Sequence, residues 1–170
     1  AVILAAGRGT RLQPLTTDMP KPMIPLLGRP VMAYIIEHLV AQGVREIMVN
    51  VSHMADQIER YFGDGRHFGV QIGYSYEGRL EDGRLVPEPL GSAGALRKIQ
   101  DHGGFIDQTT LVVCGDAIVD VDLHQAWRQH TAQGAMATVV TKQVAEHEVS
   151  NYGVVVARAN GSVVSSQEKP

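Results

Sequence analysis

Four short runs of apolar, largely β-branched residues recur along the chain, at Val2 to Ala5, Ile47 to Val51, Leu111 to Cys114 and Ala137 to Thr141. Runs of that length without polar alternation fit strands covered on both faces. Between them the spacing turns helical. Val31, Ile35, Leu39 and Gln42 form one stripe, with Pro30 at a first turn and Gly43 just past the last. Met54, Ile58, Tyr61 and Phe62 share a face of a second helix, which Ser52 would cap and Gly63 would end. A third places Leu123, Ala126, Trp127 and His130 between an Asp122 cap and Gly134.

Strand and helix alternate, so the pattern predicts an α/β domain with a mostly parallel sheet and a ligand crevice at the carboxyl ends of its strands. Val70, Ile72, Tyr74 and Tyr76 alternate with Gln71, Gly73 and Ser75, as in a strand with one less buried face. Glu81-Asp82-Gly83-Arg84 reads as a hairpin turn. From Tyr152 to Ser166 the helices cease, and Asn160-Gly161 predicts a type I′ turn joining two antiparallel strands.

Composition narrows the class. With 170 residues, 44% of them hydrophobic, the chain supports one core. A net charge of -3 argues against a protein that holds nucleic acid by neutralising many phosphates. Cys114 is the single cysteine, which fits a reducing compartment and a cytoplasmic location. The opening apolar run is too short to span a membrane and lacks the basic flank of a signal peptide. The chain begins without Met and stops at Glu168-Lys169-Pro170 after a strand-like run, so it reads as part of a longer protein.

The chemistry concentrates after the first strand, in Gly7-Arg8-Gly9-Thr10-Arg11-Leu12 and then Pro20-Lys21-Pro22-Met23-Ile24-Pro25. Glycines there let backbone N–H groups approach a phosphate, while Arg11 offers a planar fork and Lys21 a compact charge. The same glycines would also serve a chain that merely turns, with both cations solvated. A dinucleotide fingerprint wants a third glycine where Leu12 stands and a helix at once, whereas Pro14 and the prolines from 20 to 25 keep the chain extended. A Walker loop wants Gly-Lys-Ser/Thr, and the chain contains no such triplet. Gly7-Arg8-Gly9-Thr10-Arg11-Leu12 with Lys21 closely resembles the signature of the sugar-1-phosphate nucleotidyltransferases, and the resemblance extends through Pro30 without a gap.

That resemblance implies a Rossmann-like three-layer α/β/α fold with a mostly parallel mixed sheet. The whole of 1–170 would be catalytic domain, with the nucleotide part at about 1–120 and the start of the sugar part at about 121–170. Leu4, Ala6, Gly7, Gly9, Thr10, Arg11 and Lys21 would line the nucleotide. Glu88-Pro89-Leu90-Gly91-Ser92-Ala93-Gly94 is similar to the base-recognition segment of mannose-1-phosphate guanylyltransferases, which often carry Thr where Ser92 stands. Gly91 and Ala93 leave room for a purine, and Glu88 would accept from the adjacent donors of a guanine edge. Ser92 as a helix cap and Gly94 as a packing glycine are compatible with that role.

Leu111 to Asp116 ends a strand in a carboxylate, and Asp116 matches the family's Mg²⁺-binding aspartate, although a Gly-Asp pair is also a common turn. Asp120 would stand behind it. Gly153 and Glu168 resemble the family's contacts to the hexose and Lys169 its contact to the sugar phosphate, while a terminal Glu-Lys is equally a solvated pair. A second metal-binding aspartate of the family lies C-terminal to Glu-Lys-Pro. The seven histidines show no ligand spacing, and Cys114 reads as strand packing.

The implied reaction is in-line attack of a sugar 1-phosphate on the α-phosphorus of a nucleoside triphosphate, with Arg11, Lys21 and Asp116 as the catalytic set. Guanylyl transfer to mannose 1-phosphate is the leading expectation, and uridylyl or thymidylyl transfer the near alternative. A non-catalytic nucleotide-sugar sensor is disfavoured by the intact Arg11, Lys21 and Asp116. The expected partners are these small molecules, not nucleic acid or membrane, and a homo-oligomer is left open.

Overall fold

A computed structural model describes residues 1–81 and 84–168. The chain divides into two compact units, Ala1–Val121 and Asp122–Pro170. In the first, β1 (Val2–Leu4) leads through a long loop to the small hairpin β2 (Pro25–Leu26) and β3 (Arg29–Pro30). Then follow α1 (Val31–Ala41), β4 (Glu46–Val51), α2 (Ala55–Phe62) and β5 (Gln71–Tyr76). The pair β6 (Gly78–Glu81) and β7 (Arg84–Pro87), α3 (Gly91–Gly103) and β8 (Val112–Cys114) complete the unit.

The central sheet has the order β5-β4-β1-β8, and every neighbouring pair in it is parallel. Flanking helices bury its faces. Val2, Ile3, Val49 and Val51 on the inner strands and Met32, Ile36, Leu39, Ile58 and Phe62 of α1 and α2 are all essentially inaccessible to solvent and make up the core. The expected sheet is therefore present. Its antiparallel pairs, among the described residues, form separate two-stranded ribbons instead of joining it. β8 departs from the expectation of burial on both faces, since Val112 is 40% exposed at the sheet edge.

Local signals succeed where a single residue decides. Gly43, at φ 93, follows α1, and Gly63 closes α2. Ser52 does not cap α2: Met54 holds that position in a left-handed conformation, φ 54, and the Ser52 hydroxyl donates instead to the Glu77 carbonyl at 2.9 Å. β6 and β7 pair antiparallel as the hairpin expectation required, while the turn residues Asp82 and Gly83 lie outside the described residues.

In the second unit, α4 (Leu123–Gln133) is capped by the Asp122 carboxylate, which accepts from Gln125 N at 2.9 Å, and Gly134 ends it. No α4 residue is buried and Trp127 is 51% exposed. Ala137 to Thr141 form no strand. β-branched residues make a strand only when a partner supplies the ladder, and this run has none among the described residues. β9 (Gly153–Ala157) and β10 (Val163–Glu168) pair antiparallel. Of the turn pair only Gly161 has positive φ, and its N–H donates to Arg158 O at 2.8 Å. The connection is thus a turn followed by a left-handed glycine, not type I′, which needs positive φ at both central residues.

Candidate active site

From β1 the chain steps outward to β4 and β5, then returns to the opposite flank of β1 as β8. The direction of sheet growth reverses between β1 and β8, and at such a switch point the segments leaving the two strands diverge to leave a crevice. Ala5 to Gly9 leave β1 there, and Gly115 and Asp116 leave β8. Gly115 lies tight against β1. Its N–H donates to Leu4 O at 2.9 Å, and a Cβ on it would stand 3.1 Å from Ile3 Cγ2 and 3.2 Å from Ala5 Cβ. Glycine is what lets β8 exit so close to β1, delivering the Asp116 carboxylate to the loop.

That loop is a succession of turns, not the extended segment its prolines predict. Gly9 (φ 63) opens a 3-10 turn over Thr10–Leu12, with Leu12 N donating to Gly9 O at 2.9 Å. Buried Thr16 donates its hydroxyl to the same carbonyl at 2.9 Å, folding the loop back on itself. A Cβ on Gly9 would sit 3.0 Å from Thr16 Cγ2 and 3.1 Å from Lys21 Cβ, so the fold-back presses Lys21 against the glycine. Further along, Gln57 of α2 donates to Asp18 O at 2.9 Å and ties the loop down. Lys21 begins a second 3-10 turn, Lys21–Met23, and its ammonium forms an ion pair with Asp116.

Of the residues expected at the nucleotide, the structure thus brings Gly9, Lys21 and Asp116 together. Leu4 and Ala6 are half-buried at the root of the loop, whereas Gly7, Thr10 and Arg11 are exposed along it. Arg11 makes no ion pair among the described residues. A divalent cation fits Asp116 as one oxygen ligand. No group of three or more His, Cys, Asp or Glu side chains able to hold a metal occurs among the described residues, so phosphate oxygens would have to complete its shell.

Cys114 is exposed rather than packed in the strand. Its thiol is nevertheless pushed up from its ordinary value, first by partial desolvation beside the neighbouring strand and loop and then by the Asp116 charge, against which Lys21 acts.

The expected base segment enters α3. Glu88, Gly91, Ser92 and Ala93 are all exposed. Ser92 is inside the first turn and not its cap, which is Leu90, with Gly91 at φ 68. Gly94 is a packing glycine, as a Cβ there would lie 3.0 Å from Leu90 Cβ. Sequence reasoning missed Glu77, a buried charged residue directly after β5, whose Oε2 accepts from Leu90 N at 3.1 Å. The signal was a lone carboxylate at the carboxyl end of a strand.

In the second unit Gly153 opens β9 and stands opposite Glu168 in the ladder. Lys169 lies outside the described residues. Asp120 is exposed.

The chain belongs to the nucleotidyl transferase family, whose model matches residues 1–170. It is 55% identical, over all of its length and 44% of the relative's, to a UTP--glucose-1-phosphate uridylyltransferase of Synechocystis. To the mannose-1-phosphate guanylyltransferase catalytic subunit beta of Drosophila melanogaster it is 33% identical, covering all of this chain and 43% of that one. The chain therefore spans less than half the length of these two relatives. A solved Bacillus anthracis structure, provisionally assigned as a glucose-1-phosphate thymidylyltransferase in complex with a sucrose, aligns with a TM-score of 0.80 at 26% identity. That alignment covers 99% of this chain and 63% of the other. No helix among the described residues is long and apolar enough to cross a membrane.

Proposed function

We propose that the protein transfers a nucleotidyl group from a nucleoside triphosphate to a sugar 1-phosphate, releasing pyrophosphate, with residues 1–121 holding the nucleotide and the following unit beginning the sugar side. The observation that carries this reading is the meeting of Lys21 and Asp116 at the β1/β8 switch point, where the folded-back glycine loop presses against Lys21. The nucleophile, a phosphate monoester, is already anionic at neutral pH. The site therefore needs no general base and has only to bring two anions together and neutralise charge on the α-phosphate.

Lys21 supplies a compact charge at the transferred phosphate and Arg11 a fork for the outer oxygens, while Gly7 and Gly9 keep the backbone close to the triphosphate. Asp116 would hold Mg²⁺ jointly with phosphate oxygens, and the cation would supply charge neutralisation there. Gly153 and Glu168 are assigned to the hexose and Lys169 to the phosphate of the sugar 1-phosphate.

For the base, 55% identity to a uridylyltransferase against 33% to a guanylyltransferase favours UTP with glucose 1-phosphate. A second reading, GTP with mannose 1-phosphate, is favoured by the exposed Glu88, because guanine offers two adjacent donors and uracil only one between acceptors. Pyrophosphate release by the full-length protein is to be measured with UTP, GTP, dTTP and CTP against both sugar phosphates. The expected result is turnover that requires both substrates and is fastest with UTP. Fastest turnover with GTP would move the assignment to Glu88-directed guanylyl transfer, and no turnover with any pair would overturn the proposed class.

A further inference from the structure

We infer that Glu77 is a positioning residue for the nucleoside base, holding the segment Glu88 to Ala93 in place through the backbone N–H of Leu90; this rests on the nucleotidyl-transfer reading above. Glu77 directly follows β5 at the carboxyl end of the sheet, where its N–H donates to Val51 O at 2.8 Å and prolongs the β4–β5 pairing. Its main chain is thereby anchored. Its carbonyl accepts from the Ser52 hydroxyl at 2.9 Å and from Glu88 N at 3.4 Å, and its carboxylate accepts from Leu90 N at 3.1 Å. One residue thus grips both ends of the Glu88-Pro89-Leu90 turn.

The side chain is only 5% exposed, so it acts through the turn and not by touching solvent-borne ligand. A buried carboxylate is costly unless its surroundings favour the charge. Here Leu90 is the cap of a 13-residue helix that has no side-chain cap of its own, and the positive end of that helix dipole compensates the charge. A serine cap would have closed the helix at lower cost. What Glu77 adds is reach from the sheet: it fixes the height of the base segment above the strand ends, where Gly91 and Ala93 would meet the base.

The test compares Glu77→Met, which keeps the bulk and loses the acceptor, with Glu77→Gln, whose amide oxygen can accept in the same place. Steady-state kinetics are run on the full-length enzyme beside hydrogen exchange at the Leu90 amide. Glu77→Met is expected to raise KM for the triphosphate about tenfold or more. Its kcat and its KM for the sugar phosphate should stay within about threefold of the parent. The Leu90 amide should lose protection in the Met variant and keep it in the Gln variant, which should also restore KM.

A Met variant with parental KM, or with equal losses for both substrates, overturns the inference, as does a protected Leu90 amide without Glu77. If Glu77→Met does not fold, Ser52→Ala loosens the same clamp from the carbonyl side and should raise the triphosphate KM selectively. An unchanged KM there is equally fatal. The exchange readout needs no turnover, so failure of the clamp is distinguishable from failure of the functional reading.

Discussion

Replacing Asp116 by Asn tests the switch-point site, because stability and activity should respond on different scales. The Lys21 and Asp116 side chains are 33% and 32% exposed, so water screens their attraction appreciably. Ion pairs that reach solvent contribute about 0–1 kcal/mol. For a protein of this size 1 kcal/mol moves the melting temperature by roughly 2–4 °C. The variant should therefore melt no more than about 4 °C below the parent. Turnover is another matter: removing one preorganised electrostatic group at a reacting centre costs on the order of 10²–10³ in kcat, about 2.7–4 kcal/mol. Thermal melting and pyrophosphate release, measured on the same full-length preparations, separate the two. A fall in melting temperature beyond about 10 °C would mean that an unpaired Lys21 is costly to the fold, as in a buried structural bridge. That result, or turnover within about tenfold of the parent, would refute the reasoning.

Gly9→Ala should place a Cβ against Thr16 and Lys21 on a backbone at φ 63, costing about 1–2 kcal/mol in conformation alone and at least about tenfold in turnover. Gly7→Ala, with no atom within 4 Å of the added carbon, should leave melting unchanged, and parental activity in Gly9→Ala would refute the fold-back as the device that sets Lys21. The Asp122 carboxyl is held below its ordinary value first by the hydrogen bond from Gln125 N. Its stabilisation is therefore present above the unfolded-state value and is lost as pH falls through the lower folded value. Asp122→Ala should melt below the parent at pH 7, with the gap narrowing below about pH 4. Asp122→Asn, which still caps, should not show that pH dependence, and a gap constant into acid would exclude the carboxylate as its source.

Much of the parallel sheet was legible because the inner strands are largely apolar, Asn50 being the buried exception, and each early helix carries its own period and terminator, as with Pro30, Gly43 and Gly63. The position of Asp116 just past a strand was legible from the apolar run and glycine before it, whereas its metal role came from the family resemblance alone, since a Gly-Asp pair is also a common turn. What failed needed knowledge of distant partners. The Ser52 hydroxyl has a sheet carbonyl 25 residues away to bond, which outcompetes a local cap. Ala137 to Thr141 have strand composition but no ladder to join among the described residues. The prolines of the loop after β1 restrict φ without stating which turns follow. Glu77 was passed over because a single charge after a strand has no local pattern, and its meaning arises only when Leu90 is brought to it.

The reversal of sheet growth at β1 also sets an order of events. Leu4 pairs in register with Asn50 on one side and with Cys114 on the other. At roughly 5–20 residues per second of synthesis, the first strand waits roughly 5–20 s after its own appearance for β8 to be made. Until then β1 lacks the Gly115 contact at its end, and Lys21 is left without the Asp116 counter-charge. The half-sheet β5-β4-β1 can already bury the inner faces of α1 and α2 during that interval. The switch-point pair is thus completed later than the core, and a nascent chain halted before residue 110 would be compact yet lack the carboxylate that Lys21 meets.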